Sequence, residues 1–216
     1  MPKKETILVF GAHSDDFVIG AGGLILNCAK EGKKVISIVF SYGEKSHPWI
    51  KKRIIKTVRS KEAFEASKML KCKTLFFDLK EFNFLEEFNS KGLGEQLIKI
   101  INKEKPSKVF THSNEDPHPD HQAANKITMQ LYDKIEYSPK PGLYIYSIWN
   151  PVSFNSEYPA LYIDVSKTFL TKLKALFIFK SQRLHIIYPF LLLLVRSIHD
   201  GIKIKKRFAE KFYRVK

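Results

Sequence analysis

Two short segments gather the residues able to do acid–base or metal chemistry. Gly11-Ala12-His13-Ser14-Asp15-Asp16 carries an H-x-D-D pattern, and the run from His112 to Asp116 continues through Pro117 into His118-Pro119-Asp120-His121, an H-x-D-H pattern. Imidazoles and carboxylates without a thiolate form a donor set suited to zinc and other borderline divalent ions. Three protein ligands leave a coordination position for water, whose pKa falls to about 7 on zinc, making it a usable nucleophile. Each segment alone also has a plainer reading. Asp-Asp in a loop commonly caps a helix, and Pro119 followed by Asp120 suits a helix start. Where folding brings the two segments decides between these readings.

The elements around them alternate. Thr6 to Phe10 is a continuous apolar, β-branched run, the pattern of a strand buried on both faces, and it ends at Gly11. Gly20 to Lys30 predicts a helix closed by Gly32, and Lys34 to Phe40 a second buried strand, completing a βαβ unit. A helix from about Ile54 to Leu70 and a third strand from Thr74 to Leu79 follow. A helix from Leu93 to Lys103 stops before Pro106, and Lys108 to Thr111 supplies a fourth strand. Then come a helix from Pro119 to about Asp133, strands at Leu143 to Trp149 and Leu161 to Val165, and a helix from Lys167 to Gln182. The expected fold is α/β: a mostly parallel sheet ordered 3-2-1-4-5 plus an additional edge strand, with helices on both faces. In that order strands one and four are neighbours whose helices leave to opposite faces. Their carboxyl ends border the crevice where ligands bind, so the two segments should face each other.

A nucleotide-binding reading of the first loop fails on spacing. Gly11, Gly20, Gly22 and Gly23 match neither G-x-G-x-x-G nor the P-loop pattern, and Asp15-Asp16 would repel a pyrophosphate. With 216 residues and no repeat or Gly/Ser-rich linker, the chain is expected to be one domain over 1–216. Cys28 and Cys72 are too few for a disulfide framework, and the stretch before Thr6 is too short for a signal segment, which makes the cytoplasm the default compartment. The +15 formal charge lies mainly in the C-terminal quarter: from Val165 onward 13 Lys/Arg face only Asp200 and Glu210, a net of +11. A nucleic-acid module would need interleaved aromatic and basic residues or a reading helix, and neither is evident.

AHSDDFVIGAGG from Ala12 to Gly23 and HPDHQAA from His118 to Ala124 resemble the two signatures of the PIG-L/LmbE-like N-acetylglucosaminyl deacetylase family. RSKEAFEASKMLKC (Arg59 to Cys72), YIDVSKTFLTKLKAL (Tyr162 to Leu176) and FAEKF (Phe208 to Phe212) extend the resemblance over nearly the whole chain. It implies a Rossmann-like Zn2+ enzyme that removes acetyl groups from GlcNAc-containing molecules. By position it implies a metal triad of His13, Asp16 and His121, with Asp15 as general base. His118 would stabilise or protonate the tetrahedral intermediate, Asp120 would orient a neighbouring imidazole, and Arg59 would line the pocket. Ser14 departs from the family's usual proline, and neither Phe17 nor Val18 supplies the glutamate that commonly follows the Asp-Asp pair. Both changes spare the ligands and the base. A member of the fold that has lost its activity is the alternative they leave open.

The expected partner is thus a GlcNAc-containing small molecule or glycolipid, with no nucleic acid. The segment from about 183 joins an apolar run, Ile186 to Val195, to Arg196, Lys203, Lys205, Lys206 and Arg207. It is too short to span a bilayer. Peripheral contact with an anionic membrane and packing against the core or a neighbouring copy in a homo-oligomer both fit it.

Overall fold

The structure is a computed structural model that describes residues 4–46, 49, 51–151 and 157–216. Among the described residues seven strands form one sheet: β1 (Thr6–Gly11), β2 (Lys34–Val39), β3 (Lys73–Phe76), β4 (Lys108–His112), β5 (Gly142–Tyr146), β6 (Ala160–Asp164) and β7 (Ala209–Arg214). The spatial order is β3-β2-β1-β4-β5-β7-β6. The first five strands pair in parallel in the expected 3-2-1-4-5 order. The edge strand expected from Leu161 to Val165 is β6, but it joins the sheet through β7, and the β5–β7 and β7–β6 pairings are antiparallel. β7 was not expected as a strand, because a short charged stretch such as AEKFYR shows little apolar alternation.

The helices are α1 (Asp16–Lys30), α2 (Lys52–Leu70), α3 (Phe84–Ser90), α4 (Leu93–Glu104), α5 (Pro119–Asp133), α6 (Phe169–Leu176) and α7 (Arg183–Lys203). Two apolar cores sandwich the sheet. One joins Ile7, Val9, Phe110 and Phe212 to residues of α1, α2, α6 and α7. The other joins Leu8, Phe10 and Ile36 to residues of α3, α4 and α5. Strands β1 and β2 are buried on both faces, which is why they read as unbroken apolar runs.

Several boundaries depart from the sequence reading for local reasons. The expected helix to Gln182 stops at Leu176, a 3-10 turn occupies Lys180–Gln182, and α7 starts afresh. β5 ends at Tyr146 rather than Trp149, because the amides of Ile148 and Trp149 turn away to donate to Asp116 Oδ2 at 3.2 and 3.0 Å. Helix α1 starts at Asp16, four residues before the expected Gly20, and is kinked at Ala21, whose φ is −143°. The amides freed there have a partner: Gly23 and Leu24 each donate to the Glu210 carboxylate at 2.8 Å. Glu210 in turn accepts from Lys172 Nζ at 2.7 Å, and all of these groups are buried. Strand β7 therefore pins the helix that begins in the H-x-D-D loop.

Candidate active site

The loop after β1 and the loop after β4 meet at the carboxyl ends of adjacent strands. Asp15 occupies the N-cap of α1, but its side chain makes no capping hydrogen bond, so its carboxylate is not spent on the helix. His118 is the N-cap of α5, its Nδ1 accepting from the Asp120 amide at 3.2 Å, with Pro119 in the first turn. The capping reading thus holds for the second segment, alongside whatever chemistry it does.

His13, Asp15, Asp16 and His121 are buried, and His118 is half-buried. With Arg59 and Glu81 they line a cavity of about 100 Å³, to which Ile148, Trp149 and Pro189 also contribute. His13 Nδ1 lies 3.6 Å and His121 Nε2 3.5 Å from the same oxygen, Asp16 Oδ2. These separations are longer than an ordinary hydrogen bond. They approach the roughly 3.3–3.4 Å edge of a tetrahedron with ligand bonds of about 2.0–2.1 Å. The remaining ring nitrogen of each histidine meets a buried carboxylate: His13 Nε2 is 3.1 Å from Asp120 Oδ2, and His121 Nδ1 is 3.0 Å from Asp116 Oδ1. A carboxylate behind each imidazole is the usual support of a metal-binding histidine. The donor set His13, Asp16 and His121 therefore fits a divalent ion.

Two further sets lie close by, His13 with His118 and Asp120, and His112 with Asp116 and His121. Backbone amides reach the carboxylates of these sets, as the His13 amide reaches Asp16 Oδ2 at 2.7 Å. Asp120 Oδ1 accepts from the Phe82 amide at 2.7 Å, and Asp116 accepts from the amides of His118, Ile148 and Trp149. His112 Nε2 likewise accepts from the Ala12 amide at 3.0 Å while lying 3.1 Å from Asp16 Oδ2.

A match to the PIG-L family model, described as GlcNAc-PI de-N-acetylase, covers residues 8–132, more than half of the chain. The chain belongs to the PIG-L family. Relatives of this PIG-L chain differ in their reactions. A 4-oxalmesaconate hydratase of Pseudomonas putida is 30% identical over 122 residues, 53% of this chain and only 46% of that protein. Among solved structures, a 4-carboxy-2-hydroxymuconate hydratase from the same species superposes with a TM-score of 0.83 at 21% identity, covering 98% of this chain and 96% of that one. The N,N'-diacetylchitobiose deacetylase of Pyrococcus horikoshii gives 0.78 at 21% identity, covering 96% and 82%. A teicoplanin deacetylase solved in a zinc-inhibited form gives 0.77 at 14%, covering 96% and 97%. At these identities the structures establish a shared fold, and family membership places the chain among enzymes that include deacetylases and hydratases.

The electrostatics divide the two aspartates of this PIG-L site. Burial and the neighbouring Asp16 raise the pKa of Asp15, with Arg59 and His13 pulling against them. Asp16 is held well below the usual range: burial opposes this, but its interactions with the imidazoles of His121, His112 and His13 prevail. Burial likewise works against a charge on His13, yet its hydrogen bonds to Asp120 and Asp16 raise it to about 10. Burial, with the charge of His112, lowers His121 to about 4. Burial also lowers His118.

Arg59 lines the cavity, and its Nη1 also donates to the backbone carbonyls of Tyr42 and Gly43, fixing the loop after β2. Three site residues were not singled out from sequence. Asp116 and His112 stand in the quoted run, but their roles depend on contacts with Trp149 and Ala12 that no local spacing encodes. Glu81 sits in the loop after β3 with no motif around it, and its Oε1 lies 3.7 Å from His13 Nε2.

Proposed function

We propose that this chain is a zinc-dependent hydrolase that removes the acetyl group from the amide nitrogen of a GlcNAc-containing substrate. The observation that carries the reading is the paired arrangement of His13 and His121, each about one tetrahedral edge from Asp16 Oδ2 and each backed by a carboxylate. A zinc ion held by His13, Asp16 and His121 would supply a polarised substrate carbonyl and a water of lowered pKa.

The chain's own groups account for the proton movements. Asp15 is buried, free of any capping bond and of raised basicity, so it accepts the proton of the attacking water. His118 uses Nδ1 to accept from the Asp120 amide, which leaves its proton on Nε2. That N–H donates to the carbonyl oxygen as it gains negative charge. A neutral imidazole in this tautomer can stabilise the oxyanion but cannot readily give its proton away. The proton taken by Asp15 therefore passes to the leaving nitrogen as the C–N bond breaks. Hydroxide is added to the acetyl carbon and a proton to nitrogen, which yields acetate and a free amine.

A second reading, addition of water across a carbon–carbon double bond, is favoured by the 30% identity to a hydratase. Asp15 would activate water in the same way. The readings separate in one screen of protein loaded with a single equivalent of zinc, a limit prompted by the zinc-inhibited teicoplanin deacetylase. Free GlcNAc, chitobiose, GlcNAc-inositol and GlcNAc-lipid are followed by amine release, and unsaturated oxo-carboxylates by loss of ultraviolet absorbance. Amine release supports the first reading. Absorbance loss without amine supports the second, and activity in neither arm overturns both.

A further inference from the structure

Helix α7 leaves an apolar face uncovered. Ile187, Leu191, Val195, Ile198 and Ile202 are 46% to 70% exposed, and their spacing puts them within an arc of about 100° over roughly 22 Å of helix. Exposed Phe177, at the C-cap of α6, meets Phe190 of α7 with ring centroids 5.6 Å apart. A patch of this extent on a single chain marks a surface that meets something. Among the described residues no helix is long and apolar enough to cross a membrane, so the patch can lie on a bilayer but α7 does not span one.

Charge identifies the occupant. The only acidic residue of α7, Asp200, is buried, and α6 has no acidic residue. Lys174 and Lys180 are exposed on the segment that leads into α7, and Lys203, Lys205, Lys206 and Arg207 stand exposed where α7 ends. Lys206 Nζ approaches an acid at 3.6 Å, but that acid, Asp164, belongs to β6. A second copy of this chain would bring the same lysines to the same face, with no exposed carboxylate on α6 or α7 to complement them. Anionic lipid head groups complement them directly, and apolar side chains flanked by lysine are the pattern of a helix lying in a bilayer interface.

We propose that the α6–α7 face docks on the surface of an anionic bilayer, with the apolar stripe of α7 entering the head-group region. The docked face stands beside the catalytic cavity, since Tyr188 of α7 stacks on Trp149 at 5.7 Å, and Trp149 and Pro189 both line that cavity. The proposal does not depend on which reaction the cavity performs.

The test is sedimentation of the full chain with vesicles of phosphatidylcholine alone and of phosphatidylcholine with phosphatidylglycerol. Binding is expected on the anionic vesicles and should weaken with added salt. Leu191→Asp with Ile198→Asp, both at exposed positions, should reduce it by at least tenfold. Replacing Lys203, Lys205, Lys206 and Arg207 by glutamine should also reduce it by at least tenfold, on the order of what several surface cations contribute. Circular dichroism and melting confirm that both variants fold. No binding to anionic vesicles, or binding unchanged in the folded Leu191→Asp/Ile198→Asp variant, would overturn the proposal. So would a concentration-dependent dimer that the same variant abolishes while vesicle binding persists.

Discussion

At the scale of single residues, the site depends on how each side chain's second function is occupied. His13 and His121 each turn one nitrogen toward Asp16 and the other toward a buried acid. His13 bears a proton in the metal-free state, because its bonds to Asp120 and Asp16 raise it to about 10 against the cost of burial. A ligating imidazole is neutral, so zinc uptake near pH 7 should release about one proton, and affinity should fall as pH is lowered. Calorimetry in buffers of different ionisation enthalpy measures this; heats independent of the buffer would contradict it. Arg59 faces a different demand, being buried among Asp15, Glu81 and Glu62 while it holds two carbonyls. Arg59→Met should destabilise the fold by about 3–5 kcal/mol in urea denaturation, because it strands buried acids and backbone oxygens together. A loss under about 1 kcal/mol would show that the carbonyls and acids find other partners. The residue types of the two loops were legible in the sequence. The carboxylate behind His121 was not, since Asp116 is held by amides some thirty residues away in the chain.

At the scale of elements, the parallel strands and the helices between them could be read from apolar runs ending in glycine, and their order follows from the crossover rules. What escaped was structure made by distant contact. Strand β7 draws its purpose from Glu210, whose carboxylate receives the Gly23 and Leu24 amides at the kink of α1 together with the Lys172 ammonium. Glu210→Leu should therefore cost about 3–5 kcal/mol, and adding Lys172→Met should recover part of the loss. Urea midpoints of the two variants decide the matter, and a double variant no more stable than the single would refute the coupling. Close approach also explains Gly20, in the later part of the first signature. A Cβ on Gly20 would stand 2.3 Å from the Tyr146 ring, whose hydroxyl donates to the Phe10 carbonyl at 2.6 Å, beside the H-x-D-D loop. Gly20→Ala should cost about 1–3 kcal/mol through overpacking, read as a fall in melting temperature of several degrees. An unchanged melting temperature would mean that Tyr146 moves freely.

At the scale of the whole molecule, the sheet sets two loops from distant parts of the sequence face to face and encloses them between helices of both layers. Reading the sequence placed the loops together because strands one and four had to be neighbours, and they are. The basic C-terminal quarter, by contrast, showed only a composition. Its division into a buried Lys172–Glu210 pair and an exposed apolar face with exposed cations where α7 ends emerges from the packing of α6, α7 and β7. In the proposed function this architecture brings a metal triad and a separate proton acceptor to one cavity, with Asp16 serving the metal and Asp15 the proton. Turnover of Asp15→Asn, with bound zinc quantified in the same sample, tests that division most directly. The account predicts zinc content equal to that of the unmodified chain and turnover lower by about 10²–10⁴-fold. Turnover within a few-fold of the unmodified chain at equal zinc content would contradict it.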